Sequence, residues 1–314
     1  MDIEDIRTAG VVGGGTMGFG IALNFALAGI DIIVQDVTDE ALARSEELTD
    51  AALSLFVEED FVSSAAASAA AKRITRTREL EQLAMASDFV TEAIVERLDD
   101  KQELFGTLDR LCPDHTIIVT NTSGFVVSEI GEGVARQDKI GLTHYFAPPH
   151  IVPGVEVAGG PGTSEETYEL ICQIMRKTGR VPIRLLKEKP GYLLNRIQHA
   201  AGAEASRLWA EGVASAEDIE LGIQTTFGFR MPHEGPFYHY DLAGIFRWPS
   251  DAGNKKAHPT AHKDDAQERV RARYAEGMPW FVDPDRFDEA VERRDREYIQ
   301  RIKEMRRSWG AHLE

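Results

Sequence analysis

The stretch "GLTHYFAPPHIVPGVEV", residues 141–157, holds two histidines, three prolines and one acid in a largely apolar run. His144 and Glu156 are the pair in it with chemistry to offer. Near pH 7 a neutral imidazole is the natural acceptor for an alcohol proton. A carboxylate beside it fixes its tautomer and stabilises the imidazolium that forms. Alone, a histidine on an apolar strand is more often a hydrogen-bonded core residue. Its position and its company decide between the two readings.

A second group lies in "VVGGGTMGFGIA". Gly13, Gly15 and Gly18 fall into G-x-G-x-x-G around Thr16 and Met17, and Asp36 closes the next apolar run eighteen residues after Gly18. The glycines permit a tight turn and close backbone approach, and the helix that follows offers unpaired N–H groups to a pyrophosphate. Asp36 can accept hydrogen bonds from adenosine ribose hydroxyls, and its charge repels a 2′-phosphate, which selects NAD over NADP. A glycine pattern alone is weak, whereas strand, glycine turn, helix, strand and terminal acid in one run is a strong signal. Gly13, Gly15, Thr16, Met17, Gly18 and Asp36 are therefore expected to bind NAD. No histidine shows a metal-ligand spacing such as HExxH, and no metal is expected.

The elements that must position these groups can be read from the surrounding pattern. Short apolar runs ("TAGVVG", "IDIIVQD", "SDFVTEAI", "TIIVTN", "KIGLTHYF") alternate with helical stretches, as in a parallel sheet with crossover helices. The expectation is an α/β fold: a Rossmann domain with a mostly parallel sheet over residues 1–186, then an all-helical C-terminal domain over 187–314 that opens at "KEKPGYLLNR". "SSAAASAAAK" reads as an exposed helical extension, since alanine has the best helix propensity. "RWPSDAGNKKAHPTAHKDD" reads as a loop. Phe287, Val291, Tyr298, Ile302 and Met305 form one apolar stripe on a last helix, to be buried in its own chain or on a partner.

Composition narrows the function classes. The 314 residues are 43% hydrophobic and 28% charged, as in an ordinary soluble globular protein. The net charge of −17 argues against binding nucleic acid or an anionic membrane surface through bulk electrostatics; it does not exclude an anionic small molecule, and a small-molecule substrate is the expected partner. Two distant cysteines, Cys112 and Cys172, suggest no disulfide framework and a reducing compartment. "MDIEDIRTAG" lacks the features of a signal peptide, and no apolar run approaches a membrane span, so a cytoplasmic location is expected.

In order, "GGGTMGFGIA", "TEAIVERLDDKQELF", "NTSG", "THYFAPPHIVPGVEV", "KPGYLLNR" and "GPFYHYDLAGI" resemble the 3-hydroxyacyl-CoA dehydrogenase family, from about residue 8 to about residue 245. The "PPHIVPGVEV" version looks most like the branch that handles small polar substrates without coenzyme A. That branch includes L-gulonate 3-dehydrogenase with its relative lambda-crystallin, and a dehydrogenase of vitamin B6 degradation. The resemblance implies a catalytic pair of His144 and Glu156, Ser123 and Asn195 around the reacting oxygen, and Glu96, Lys101 and Asn121 near the nicotinamide and its ribose. It also implies a homodimer formed through the C-terminal domain. Read bare, Ser123 and Asn195 could be capping residues, and "ERLDDK" a solvated helix start.

The chain departs from the pattern at Ala147, where the family usually carries asparagine. The Ala/Ser-rich extension offers few cations for the phosphates of a coenzyme A substrate; Lys72 and Arg73 are the nearest. Arg230 and His233 in "FRMPHEGP" are candidates for a substrate carboxylate or plain exposed loop residues. The expected activity is reversible, NAD-dependent oxidation of the hydroxyl of a 3-hydroxy acid or related small alcohol. The alternatives are a 3-hydroxyacyl-CoA thioester substrate and a crystallin-like NAD-binding structural protein.

Overall fold

The computed structural model describes residues 2–244 and 265–305, in two compact units, Met1–Gly202 and Ala203–Glu314. In the first, β1 (Thr8–Val12) leads into α1 (Gly18–Leu27), β2 (Asp31–Gln35), α2 (Asp39–Glu58), α3 (Ser64–Arg73) and β3 (Ile74–Thr77). Then come α4 (Leu80–Ala86), β4 (Phe89–Glu92), α5 (Leu98–Leu111), β5 (Ile117–Thr120), α6 (Val127–Ile130) and β6 (Ile140–Tyr145). The unit closes with β7 (Gly154–Gly159), α7 (Glu165–Lys177), β8 (Val181–Arg184) and the first half of α8 (Leu194–Ala210).

The eight strands form one sheet in the order β3-β2-β1-β4-β5-β6-β7-β8. Every neighbouring pair is parallel except β6 with β7. The expected mostly parallel sheet is thus present. Its central strands are buried along their whole length: "FVTE" in β4, "IIVT" in β5 and "IGLTHY" in β6. Only a sheet covered by helices on both faces can bury continuous runs of this kind. Three helices of this unit start at a side-chain cap. Thr38 accepts from the Ala41 N–H at α2, Ser63 from Ala66 at α3 and Ser164 from Thr167 at α7, each such cap worth about 1 kcal/mol. The alanine-rich extension is the helix α3. It is not wholly exposed, because Ala67 and Ala70 are buried in the main core with Phe25 and Phe56.

Strand order reverses at β1: the chain runs outward from β1 to β2 and β3, then crosses back to β4 on the other side of β1, and the carboxyl edge at such a reversal is the usual ligand position in this architecture. Gly13, Asp36, Ala93 and Asn121 directly follow strands at that edge, and His144 is the penultimate residue of β6.

The second unit contains α9 (Ala216–Thr225), α10 (Phe227–Arg230), α11 (Pro236–Leu242), α12 (Asp265–Ala275) and α13 (Phe287–Met305), with no strand among the described residues. Leu242, Tyr274, Val282 and Ala290 form its small core. The buried Asp241 carboxylate organises it, accepting the Tyr274 hydroxyl at 3.0 Å and the N–H groups of Trp280 at 2.8 Å and Val282 at 3.2 Å. The last helix forms as expected, but Ile302 of its apolar stripe stays exposed, and the Met305 side chain lies outside the described residues. The expected loop "RWPSDAGNKKAHPTAHKDD" also lies outside them, apart from Asp265, the first residue of α12.

Candidate active site

The three motif glycines are needed for different reasons. Gly13 has φ +95°, and a Cβ there would meet the Ala93 carbonyl oxygen at 2.5 Å; a Cβ on Gly18 would overlap the carbonyl oxygen of Gly13. Packing within the chain therefore demands both. At Gly15 a Cβ would find no protein atom within 4 Å. The chain itself does not require that glycine, and the open space beside it suits the pyrophosphate of a dinucleotide at the N-terminus of α1. Thr16 is exposed on the same turn, and the Met17 carbonyl accepts the Ile21 N–H at 3.0 Å as the helix begins. Asp36 stands one residue beyond β2, half-buried. Its Oδ2 accepts the Gly14 N–H at 2.8 Å and its Oδ1 the Val37 N–H at 2.7 Å. The acid thus also props the glycine turn, a role its spacing does not reveal.

A buried charge network lies at the end of β4. Lys101, 1% exposed, reaches Glu92 at 2.6 Å and Glu96 at 3.1 Å. Glu92 is fully buried and also accepts the Ile94 N–H at 2.8 Å and the Thr120 hydroxyl at 2.6 Å. Removing one partner of such a pair typically costs about 3–5 kcal/mol, because the other charge is left buried and alone. Glu96 accepts the Thr122 hydroxyl and the N–H groups of Ser123 at 3.1 Å and Gly124 at 2.8 Å. Burial opposes its ionisation, but the Thr122 hydroxyl, the Lys101 ammonium and the Gly124 N–H outweigh it and hold the carboxyl below the usual range. Glu96 and Lys101 are therefore together, as a strut under the loop that carries Ser123. Asn121 links β5 to β6 through its Oδ1, which accepts the Tyr145 N–H at 2.9 Å.

His144 and Glu156 are direct partners in the β6–β7 register. His144 Nδ1 lies 2.7 Å from Glu156 Oε2, with both side chains buried. The other carboxylate oxygen accepts the N–H groups of Leu193 at 2.9 Å and Leu194 at 2.8 Å, where α8 begins. Burial disfavours the charged carboxylate, but the His144 hydrogen bond and the Leu194 and Leu193 N–H groups hold its pKa below the usual range. An ionised Glu156 accepts from Nδ1–H and leaves Nε2 as the ring nitrogen available to a substrate. Asn195 follows directly on Leu194, half-buried in the first turn of α8, and Ser123 is exposed on the loop after β5. Phe146 and Tyr192 flank the imidazole, with ring centroids at 4.6 and 5.8 Å.

Sequence reasoning missed Glu92, Thr122 and Tyr192. A terminal acid on an otherwise apolar strand was the available signal for Glu92; the other two carry none. Arg230 and His233 are half-buried in the second unit, so neither is a plain exposed loop residue. Arg230 lies 3.9 Å from Glu234 and 3.3 Å from His239, and His233 3.4 Å from Glu297. No group of side chains suited to a metal occurs among the described residues, and none of their helices is long and apolar enough to cross a membrane.

Residues 8–189 match the family described as 3-hydroxyacyl-CoA dehydrogenase, NAD binding domain, and residues 191–276 its C-terminal domain. The chain is 32% identical over 245 residues to the mitochondrial hydroxyacyl-coenzyme A dehydrogenase of Homo sapiens, covering 76% of this chain and 77% of the relative. It is 33% identical over 241 residues to an L-carnitine dehydrogenase of Nocardiopsis dassonvillei, covering 77% and 72%. It is 28% identical over 240 residues to a 5-formyl-3-hydroxy-2-methylpyridine 4-carboxylate 5-dehydrogenase of Mesorhizobium japonicum, covering 76% and 77%.

Proposed function

This chain belongs to the 3-hydroxyacyl-CoA dehydrogenase family and is an NAD-dependent oxidoreductase acting on CH–OH groups; on that premise, we propose that it oxidises a free 3-hydroxy acid or related small polar alcohol, with His144 and Glu156 as the proton relay. The observation that carries this reading is the buried His144–Glu156 pair, 2.7 Å apart at the carboxyl edge of the sheet.

Bound NAD supplies the hydride acceptor. Gly13, Gly15, Thr16, Met17 and Gly18 hold the pyrophosphate and Asp36 the adenosine ribose, while Glu96, Lys101 and Asn121 define the nicotinamide end. His144 Nε2 takes the hydroxyl proton as the C–H hydride leaves, and Glu156 stabilises the resulting imidazolium. Ser123 and Asn195 hydrogen-bond the oxygen as it changes from hydroxyl to carbonyl. In the reverse direction His144 returns the proton.

The preference for a small substrate rests on charge. A groove of about 680 Å³ between α2 and α3 is lined by Asp50 and Glu58 with serines and apolar side chains, and Arg73 at the end of α3 is paired with Asp31 at 2.8 Å. The phosphates of coenzyme A favour basic partners; the lining of this groove offers none, and Lys72 is the exposed cation beside Arg73 at the end of α3. The same reading makes the protein a cytoplasmic homodimer assembled through residues 187–314.

The test is NADH formation with 3-hydroxybutyryl-CoA, L-gulonate, L-carnitine and a hydroxymethylpyridine, using His144→Gln as control. A free alcohol should outperform the thioester, and the variant should lose about 10²- to 10⁴-fold in kcat. Normal turnover by His144→Gln overturns the relay, and a preference for the thioester overturns the substrate class. NAD binding without NADH formation from any member of the panel marks a structural protein.

A further inference from the structure

The turn before α8 carries a residue that the proposed chemistry does not use. Lys189–Tyr192 is a tight turn closed by the Tyr192 N–H on the Lys189 carbonyl at 2.8 Å, with Pro190 second and Gly191 third at φ +74°. Proline and glycine at those places suit a type II turn. Tyr192 itself has φ +47°. A bulky non-glycine side chain rarely adopts the left-handed region, and such strain persists only where surrounding contacts over-determine it.

Those contacts converge on the proposed site. The Tyr192 side chain is 2% exposed, and its hydroxyl donates to the Phe125 carbonyl at 2.5 Å, two residues beyond Ser123. Its ring faces His144 with centroids 5.8 Å apart. The next two N–H groups, of Leu193 and Leu194, are those held by Glu156, and Asn195 follows them. Burial, reinforced by the carboxylates of Glu188, Glu96, Glu156 and Glu129, raises the pKa of the phenol. It therefore remains a neutral donor across the working range. Glu96 holds the Ser123 loop from one side through the N–H groups of Ser123 and Gly124, and Tyr192 holds its far end through Phe125.

We propose that Tyr192 is a positioning residue: its hydroxyl ties the Ser123 loop to the start of α8, so that Ser123 and Asn195 are presented together beside His144. The proposal rests on the reading that these three residues surround the reacting oxygen. The experiment compares wild type, Tyr192→Phe, Ser123→Ala and the double variant with the best substrate of the panel, measuring kcat, the KM for NAD and Tm. One buried neutral hydrogen bond corresponds to about a 3- to 10-fold effect. Tyr192→Phe should therefore lower kcat by that factor with the KM for NAD unchanged, and should slow Ser123→Ala no further. Three results overturn the proposal: wild-type kcat in Tyr192→Phe, losses that multiply in the double variant, or a joint fall of Tm and NAD affinity that marks a purely structural residue. Normal turnover by Ser123→Ala is a separate outcome, which removes the site reading and Tyr192's role with it.

Discussion

Glu156 divides its two oxygens between His144 and the N–H groups that open α8, and this division has a consequence in acid. Its carboxyl has a depressed pKa in the folded protein. The stability it contributes is therefore complete above the ordinary carboxylate range and is lost as pH falls through the depressed value. Glu156→Gln should show a flatter decline of Tm on acidification than wild type; parallel declines would mean that the carboxylate does not bear on acid stability. His144 and Glu156 could be singled out in the sequence because each is a titratable group in an apolar run. Tyr192 could not, because its bond goes to a main-chain carbonyl 67 residues away, and backbone acceptors leave no trace in residue type.

At the level of elements, the glycine turn separates two demands that the motif writes as one. Gly18 is required by the overlap a side chain would make with Gly13, whereas nothing in the chain crowds Gly15. Gly15→Ala should keep the wild-type Tm and weaken NAD binding, while Gly18→Ala should lower Tm by several degrees. Thermal melts with an NAD titration check both, and equal behaviour of the two variants would contradict the division. The alternation of apolar runs made the parallel strands legible. The burial of Ala67 and Ala70 was not, because a helix of alanines and serines has little amphipathic contrast, and only its packing beside α1 and α2 selects the inward face.

For the molecule as a whole, the change to helices after Arg184 was readable from the pattern, since β8 is the last strand among the described residues. The compact units themselves divide further along the chain. Contacts separate at Gly202, inside α8, which has apolar side chains throughout but no buried residue. Ile197 is 48% exposed and Trp209 59% exposed, and the proposed homodimer would cover them. Light scattering after gel filtration should give twice the chain mass, and Trp209→Glu should shift it toward the monomer; a monomeric wild type would refute the homodimer. The β6–β7 register has a different kind of consequence. His144 faces Glu156 because two strands are in step, while the eight residues joining Tyr145 to Gly154 are free of that constraint. They are held from elsewhere: Phe146 packs on the His144 ring at 4.6 Å, and the Pro149 carbonyl accepts the Asn24 amide at 3.0 Å, so the sheet sets the alignment of the pair and tertiary contacts set its surroundings.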